Sequence, residues 1–139
     1  DASIGLLDTI GELASLFQIA SIVFVGGSLV PAGGHNFLEP AVFGKAIVVG
    51  PYMDNFAEIT SEFVDKQAVV QVCNDRELEE EVVDLIRDVG RRERLGSAAR
   101  DLVKSCRGAT KRTMTIAIGL LASDIRNVSD DTMQSTINT

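Results

Sequence analysis

The sequence is poor in the side chains from which many reactive centres are built. Its 139 residues hold one histidine and two cysteines. Cys73 and Cys106 stand far apart without a C-x-x-C pair, and one histidine cannot complete a metal cluster with them, so no metal site is expected. Both cysteines read as ordinary reduced residues of a core or a helix. No apolar run approaches the roughly 20 residues that a membrane-spanning helix needs. No secretory leader is visible ahead of a body that starts at Asp1 rather than Met, and localisation is left open.

Cations are equally scarce over the first half. Residues 1–75 carry nine acidic and two basic side chains, whereas residues 76–139 carry eleven of each, for a net charge of −7. The exception is 90–112, with eight basic residues against two acidic. Such a stripe reads as a solvated helix face, or as a face for anionic lipid or another domain, which would be a peripheral membrane contact. A nucleic-acid partner is excluded by the acidic sum, the lack of aromatics interleaved with the stripe, and the lack of a recognition motif.

What is present is a globular composition, 45% hydrophobic and 24% charged, at the length of one domain. Thr9 and Glu12 are spaced as a capping box, followed by Ile10, Leu13, Ala14 and Phe17 at helical spacing. Ser21 to Val25 is a short, apolar, β-rich run stopped by Gly26-Gly27, as expected of a parallel strand covered on both faces. Similar runs occur at Ala46–Val49, ending at Gly50-Pro51, and at Ala68–Val72, ending near Asn74-Asp75. Helix-like stretches lie between them, around 39–43 and 56–65. Leu78, Val82, Leu85, Ile86 and Val89 then share one helical stripe, and Leu95, Ala98, Ala99, Leu102 and Val103 another, with a break expected at Gly90. A last amphipathic helix is expected over 109–122. Alternating strands and helices predict an open parallel α/β sheet, and three strands are too few for a whole doubly wound domain.

The candidate site is the segment from Gly26 to Pro40, at the carboxyl end of the first strand, where open α/β sheets bind their ligands. Four glycines in nine residues let a backbone approach a ligand closely, so that amides can hold phosphate without a lysine. The segment matches neither G-x-G-x-x-G nor a P-loop. Asn36 and Glu39 read in two ways, as a capping box or as ligand contacts, with Glu39 a natural clamp for ribose hydroxyls. Pro40 bears on the choice: capping by Asn36 would put it at the fourth helical position, whose N–H makes the first intrahelical bond. A helix starting at Phe37 or later avoids this. Ser28 donates either to a phosphate oxygen or to the adjacent turn. His35, placed in a loop, is a weak candidate for general base and otherwise a hydrogen-bonding partner of donor sugar or phosphate. The second loop, 50–56, should line the same crevice, with Tyr52 and Asn55 as polar candidates and Met53 and Phe56 as packing.

The run GELASLFQIASIVFVGGSLVPAGGHNFLEPAVFGKAIVVGPYMDNFAEI resembles the carboxy-terminal signature of 3-deoxy-D-manno-octulosonic acid (Kdo) transferases, the glycosyltransferases that add Kdo from CMP-Kdo to a lipid A precursor in lipopolysaccharide biosynthesis. The ordered series Gly-Gly-Ser, Gly-Gly-His-Asn, Glu-Pro, Gly-Pro and Asn-Phe carries the likeness, which extends loosely over residues 8–122. The resemblance implies a GT-B fold, with residues 1–124 a partial, Rossmann-like carboxy-terminal donor domain and 125–139 a polar, disordered tail. It also implies an inverting transfer without metal or cofactor. Residue by residue, Ser28, Gly34, Asn36 and Glu39 fall on the motif used for the CMP moiety, Glu39 at the ribose. Gly27, His35 and Asn55 complete the expected donor-binding set. Phe37 and Ala46 depart from the family, standing where many members have proline, and read as tolerated loop variation. The acceptor domain, which supplies the family's glutamate base, has no counterpart in these residues, so no catalytic residue is assigned and the chain alone is expected to be inactive. Family members lie on the cytoplasmic face of the bacterial inner membrane, and plant relatives in an organelle such as the mitochondrion. Two other readings stay open: a nucleotide-sugar epimerase of the same architecture, and a non-catalytic paralogue acting as a binding module.

Overall fold

The computed structural model describes residues 4–8 and 11–109. The chain divides into a unit Asp1–Lys104 and a unit Ser105–Thr139; of the second, only the end of the last helix falls among the described residues. The helix expected over 109–122, the tail at 125–139 and the boundary at 124 therefore lie outside them, as does Thr9. In order, the elements are α1 (Leu13–Ile19), β1 (Ile22–Phe24), α2 (Leu38–Val42), β2 (Ala46–Val49), α3 (Ala57–Asp65, entered through a 3-10 turn Asp54–Phe56), β3 (Val70–Gln71), α4 (Asp75–Arg87) and α5 (Val89–Ala109).

The three strands form one parallel sheet in the order β1-β2-β3, with Val23 opposite Ile47 and Val48 opposite Val70. β2 is central, and all four of its residues are buried, as its unbroken apolar run predicts. The ladder outlasts the strands at their carboxyl ends, where Val25 N–H donates to Val48 O (3.0 Å) and Val72 N–H to Val49 O (2.9 Å). At its amino end β3 is shorter than its apolar run. Ala68 N–H goes back to Phe63 O of α3 (2.7 Å) through a left-handed turn at Gln67, so the amide is spent on closing the helix. Ala46, Val48, Val72, Leu85 and Leu95 form a buried cluster in which α4 and α5 cover the sheet.

Two helix boundaries differ from the sequence expectation, and a third carries a cap that the sequence reading did not name. α1 begins after Glu12 rather than around Thr9. α4 carries a capping box that the apolar periodicity did not reveal: Asn74 accepts from Glu77 N–H (2.9 Å), and Glu77 accepts from Cys73 N–H (2.7 Å). The break between α4 and α5 lies at Asp88, not Gly90. Asp88 leaves helical geometry (φ −99°, ψ 87°), and its carboxylate accepts from Arg91 N–H (2.8 Å), so the acid starts the new helix and Gly90 sits inside its first turn. Cys73 is exposed in the loop before α4 rather than part of the core. The basic stripe is partly spent on the fold: Arg91 pairs with Glu81 (2.6 Å), and Arg92 donates to the Leu85 and Ile86 carbonyls at the end of α4 (3.0 and 3.3 Å). Among the described residues, no helix is long and apolar enough to cross a membrane.

Candidate donor-binding site

Because β1 and β2 are paired and parallel, the loops that follow them emerge side by side at one edge of the sheet. Four hydrogen bonds organise the two loops. Ser28 Oγ donates to Val25 O (2.5 Å) and accepts from Gly50 N–H (2.8 Å), Tyr52 N–H donates to Ser28 O (2.9 Å), and Asn55 N–H donates to Gly33 O (3.2 Å). The first loop closes on itself through Gly34 N–H to Gly27 O (3.1 Å). β3 supports the second, Gln71 Nε2 donating to Gly50 O (3.1 Å). Gln71 was not singled out in the sequence; its signal was one amide inside an otherwise apolar strand.

The glycines at 33 and 34 are required twice over. Both have positive φ, +84° and +73°, and a side chain at 33 would strike the Asn55 amide while one at 34 would strike the Met53 sulfur. The pair Gly33-Gly34 thus lies directly against the second loop. Met53 is buried and Phe56 packs edge-on to Phe37, at 6.4 Å, as the packing roles expected of them require.

The expected site residues fare differently. Ser28 has no solvent exposure, and its proton is already given to Val25. Its hydroxyl therefore staples the loops, as the turn-bonding alternative has it. His35 is exposed, its ring lying over Gly27, where a Cβ would stand 3.3 Å from both Cδ2 and Nε2. Asn36 lies before α2, as the proline argument requires. The first helical bond is Ala41 N–H to Phe37 O (3.2 Å), which leaves Pro40 at the third position, where no N–H is needed. Asn36 Oδ1 accepts from Leu38 N–H (2.9 Å), while its Nδ2 protons have no partner among the described residues. Glu39 is exposed in the first turn of α2 and closes no capping box there. Phe37 is more than loop variation: fully buried, it packs edge-on to Phe63 at 5.1 Å and roots the glycine loop in α3. Ala46 is likewise buried, at the start of β2.

Neither loop contains a lysine or arginine. Lys45, one of the two basic residues before position 76, enters β2 at its opposite end and donates to Gln18 O (2.9 Å). The arrangement can offer backbone amides, the His35 ring, two asparagine amides and the Glu39 carboxylate, a set suited to a polyhydroxylated, anionic ligand held by directed hydrogen bonds.

The family model described as glycosyl transferases group 1 matches residues 4–102. The chain belongs to that family. Among curated proteins it is 40% identical over 110 residues to a 3-deoxy-D-manno-octulosonic acid transferase of Haemophilus influenzae, covering 78% of this chain and 26% of the relative. It is 30% identical over 107 residues to the Bordetella pertussis protein of the same name, covering 77% and 25%. Among solved structures, the C-terminal CMP-Kdo binding domain of WaaA from Acinetobacter baumannii matches with a TM-score of 0.66 and 35% identity, over 70% of this chain and 51% of that one. The chain spans about a quarter of the length of these curated relatives. As a member of that family it carries a partial Rossmann-like half of a GT-B fold, with three parallel strands and their helices. The epimerase alternative is not favoured, since these relatives are transferases.

Proposed function

We propose that the chain binds CMP-Kdo and holds it for transfer of Kdo to a lipid A precursor. The observation that carries this reading is the pair of stapled loops at the carboxyl ends of β1 and β2, in a chain 35% identical to a CMP-Kdo binding domain. Glu39 accepts from the ribose hydroxyls, and the amides around Gly27 and Gly34, with Asn36 and His35, meet the phosphate and the sugar acid. Asn55 acts from the second loop, covering Gly33. Charge that develops on departing CMP is taken up by these donors, without a metal or another cofactor. Ser28 contributes by fixing the loops.

Calorimetric titration with CMP and UMP tests the reading, with CMP expected to bind more tightly. Equal or reversed affinities would return the site to the uridine nucleotides of an epimerase.

A further inference from the structure

α5 carries a glycine, Gly96, at a buried position well inside the helix, where glycine is a poor helix former. Such a residue usually has a packing reason. A Cβ built on Gly96 would overlap the Gly44 carbonyl oxygen and stand 2.7 Å from the Gly44 carbonyl carbon. The contact is backbone on backbone, and neither side has a flexible side chain that could swing aside. Gly44 closes α2. It has left-handed geometry (φ +67°), its N–H donates to Ala41 O (2.9 Å), and the Lys45 N–H donates to Pro40 O (3.2 Å). These are the two links of a Schellman motif, and they bond the turn to the residues that directly follow Glu39.

We infer that Gly96 is a positioning residue of the donor site: its bare Cα seats the Gly44 carbonyl on α5, and that seat sets the direction of α2 and of the Glu39 carboxylate. The ligand half of the inference rests on the CMP-Kdo reading. A helix of five residues has too few bonds to hold a direction by itself, so the supports at its ends decide. At the amino end Phe37 is fixed against Phe63 of α3. At the carboxyl end the Gly44 turn rests on α5 with the Arg100 side chain beside it, since a Cβ on Gly44 would stand 3.6 and 3.7 Å from Arg100 Nη1 and Cδ. Between these supports Pro40 and Ala41 are buried, and Glu39 is exposed. A side chain at 96 must displace one partner. α5 cannot withdraw cheaply, because Leu95 belongs to the buried cluster that joins it to the sheet and Ala99, four residues on, has no exposure. The short helix yields instead, and the bonds its carboxylate makes weaken steeply as their geometry is lost.

The test is a double-mutant cycle on the full 139-residue chain, read by CMP calorimetry and by amide hydrogen exchange. Gly96→Ala is expected to weaken CMP binding about fivefold or more and to speed exchange at the Gly44 and Lys45 amides, although alanine is the better helix former. In a Glu39→Gln background the same substitution is expected to change affinity by less than about twofold, because the carboxylate it would misplace is gone. Gly90→Ala is the control: a Cβ there would meet only side-chain tips, Arg94 Nη1 at 3.2 Å and Asp88 Oδ1 at 3.5 Å, so affinity should be unchanged. Arg100 is exposed, and its variants decide the matter if Gly96→Ala does not fold. Arg100→Ala is expected to weaken binding about twofold or more, and Arg100→Met, which keeps a stem beside Gly44 without the charge, to restore it. The inference is overturned if Gly96→Ala binds CMP as the unaltered chain does, if it costs as much affinity in the Glu39→Gln background, or if, where it does not fold, Arg100→Ala has no effect. Failure of the unaltered chain to bind CMP would remove the donor reading. Faster exchange at Gly44 and Lys45 in Gly96→Ala would then still show that the seat holds the end of α2, and unchanged exchange would overturn that too.

Discussion

Ser28 donates to Val25 and accepts from Gly50 where no water reaches, so neither bond can be exchanged for one to solvent. Ser28→Ala therefore strands the Gly50 N–H and frees both loops. An unsatisfied buried group costs about 1–3 kcal/mol, and urea denaturation should show a lower midpoint with an unchanged slope. A hydroxyl that served only to touch phosphate would leave that midpoint in place. Cys73 is governed by a neighbour instead. The Glu77 carboxylate pushes its thiol up, first through its charge and then through a hydrogen bond. Thiolate is the reactive form, so a raised pKa means less of it at any pH below the titration. In a Cys106→Ser background, Glu77→Gln should speed alkylation of Cys73 at pH 8, and the two rates should converge once the pH is high enough to ionise both thiols. Equal rates at pH 8 would show that the carboxylate does not control the thiol.

The start of α2 is the element on which the reading of Glu39 turns. Since Asn36 bonds Leu38 and Glu39 closes no box, the carboxylate contributes little to helix stability and is available to a ligand. Glu39→Gln should weaken CMP binding about ten- to a hundredfold, the equivalent of a charge-assisted hydrogen bond of roughly 1.5–3 kcal/mol, and leave the melting temperature nearly unchanged. A fall in melting temperature at constant affinity would assign Glu39 to the helix. This helix start was legible in the sequence because proline constrains it locally, and the strands were legible because buried parallel strands are apolar on both faces. Ser28 was not, since the acceptor of its bond and the donor to it, Val25 and Gly50, lie three and 22 residues away, and only the pairing of β1 with β2 brings Gly50 near. The break at Asp88 was misplaced to Gly90 because glycine is tolerated in a first turn, whereas an aspartate able to bond the amide three residues on starts a helix outright. Phe37 passed for loop variation because nothing local shows that α3 supplies Phe63 against it.

At the scale of the whole molecule, holding a donor is not the same as transferring from it. Transfer needs an acceptor hydroxyl in line with the donor carbon and a base to take its proton, and each requirement is a large part of the barrier. Orientation alone can be worth about 7–11 kcal/mol, and general-base assistance about a hundred- to ten-thousandfold in rate. The described residues place the two stapled loops together at the carboxyl edge of three parallel strands, and in the proposed reading the groups there hold the donor. The one imidazole there, His35, is exposed and lies over Gly27. These 139 residues are thus expected to bind CMP and yet to move no Kdo when given CMP-Kdo and a lipid A precursor. A radiolabel transfer assay on the purified chain, with a full-length Kdo transferase as positive control, decides the matter. Turnover above background would mean that a base and an acceptor site lie within these residues, and loss of that turnover in His35→Ala would identify the base.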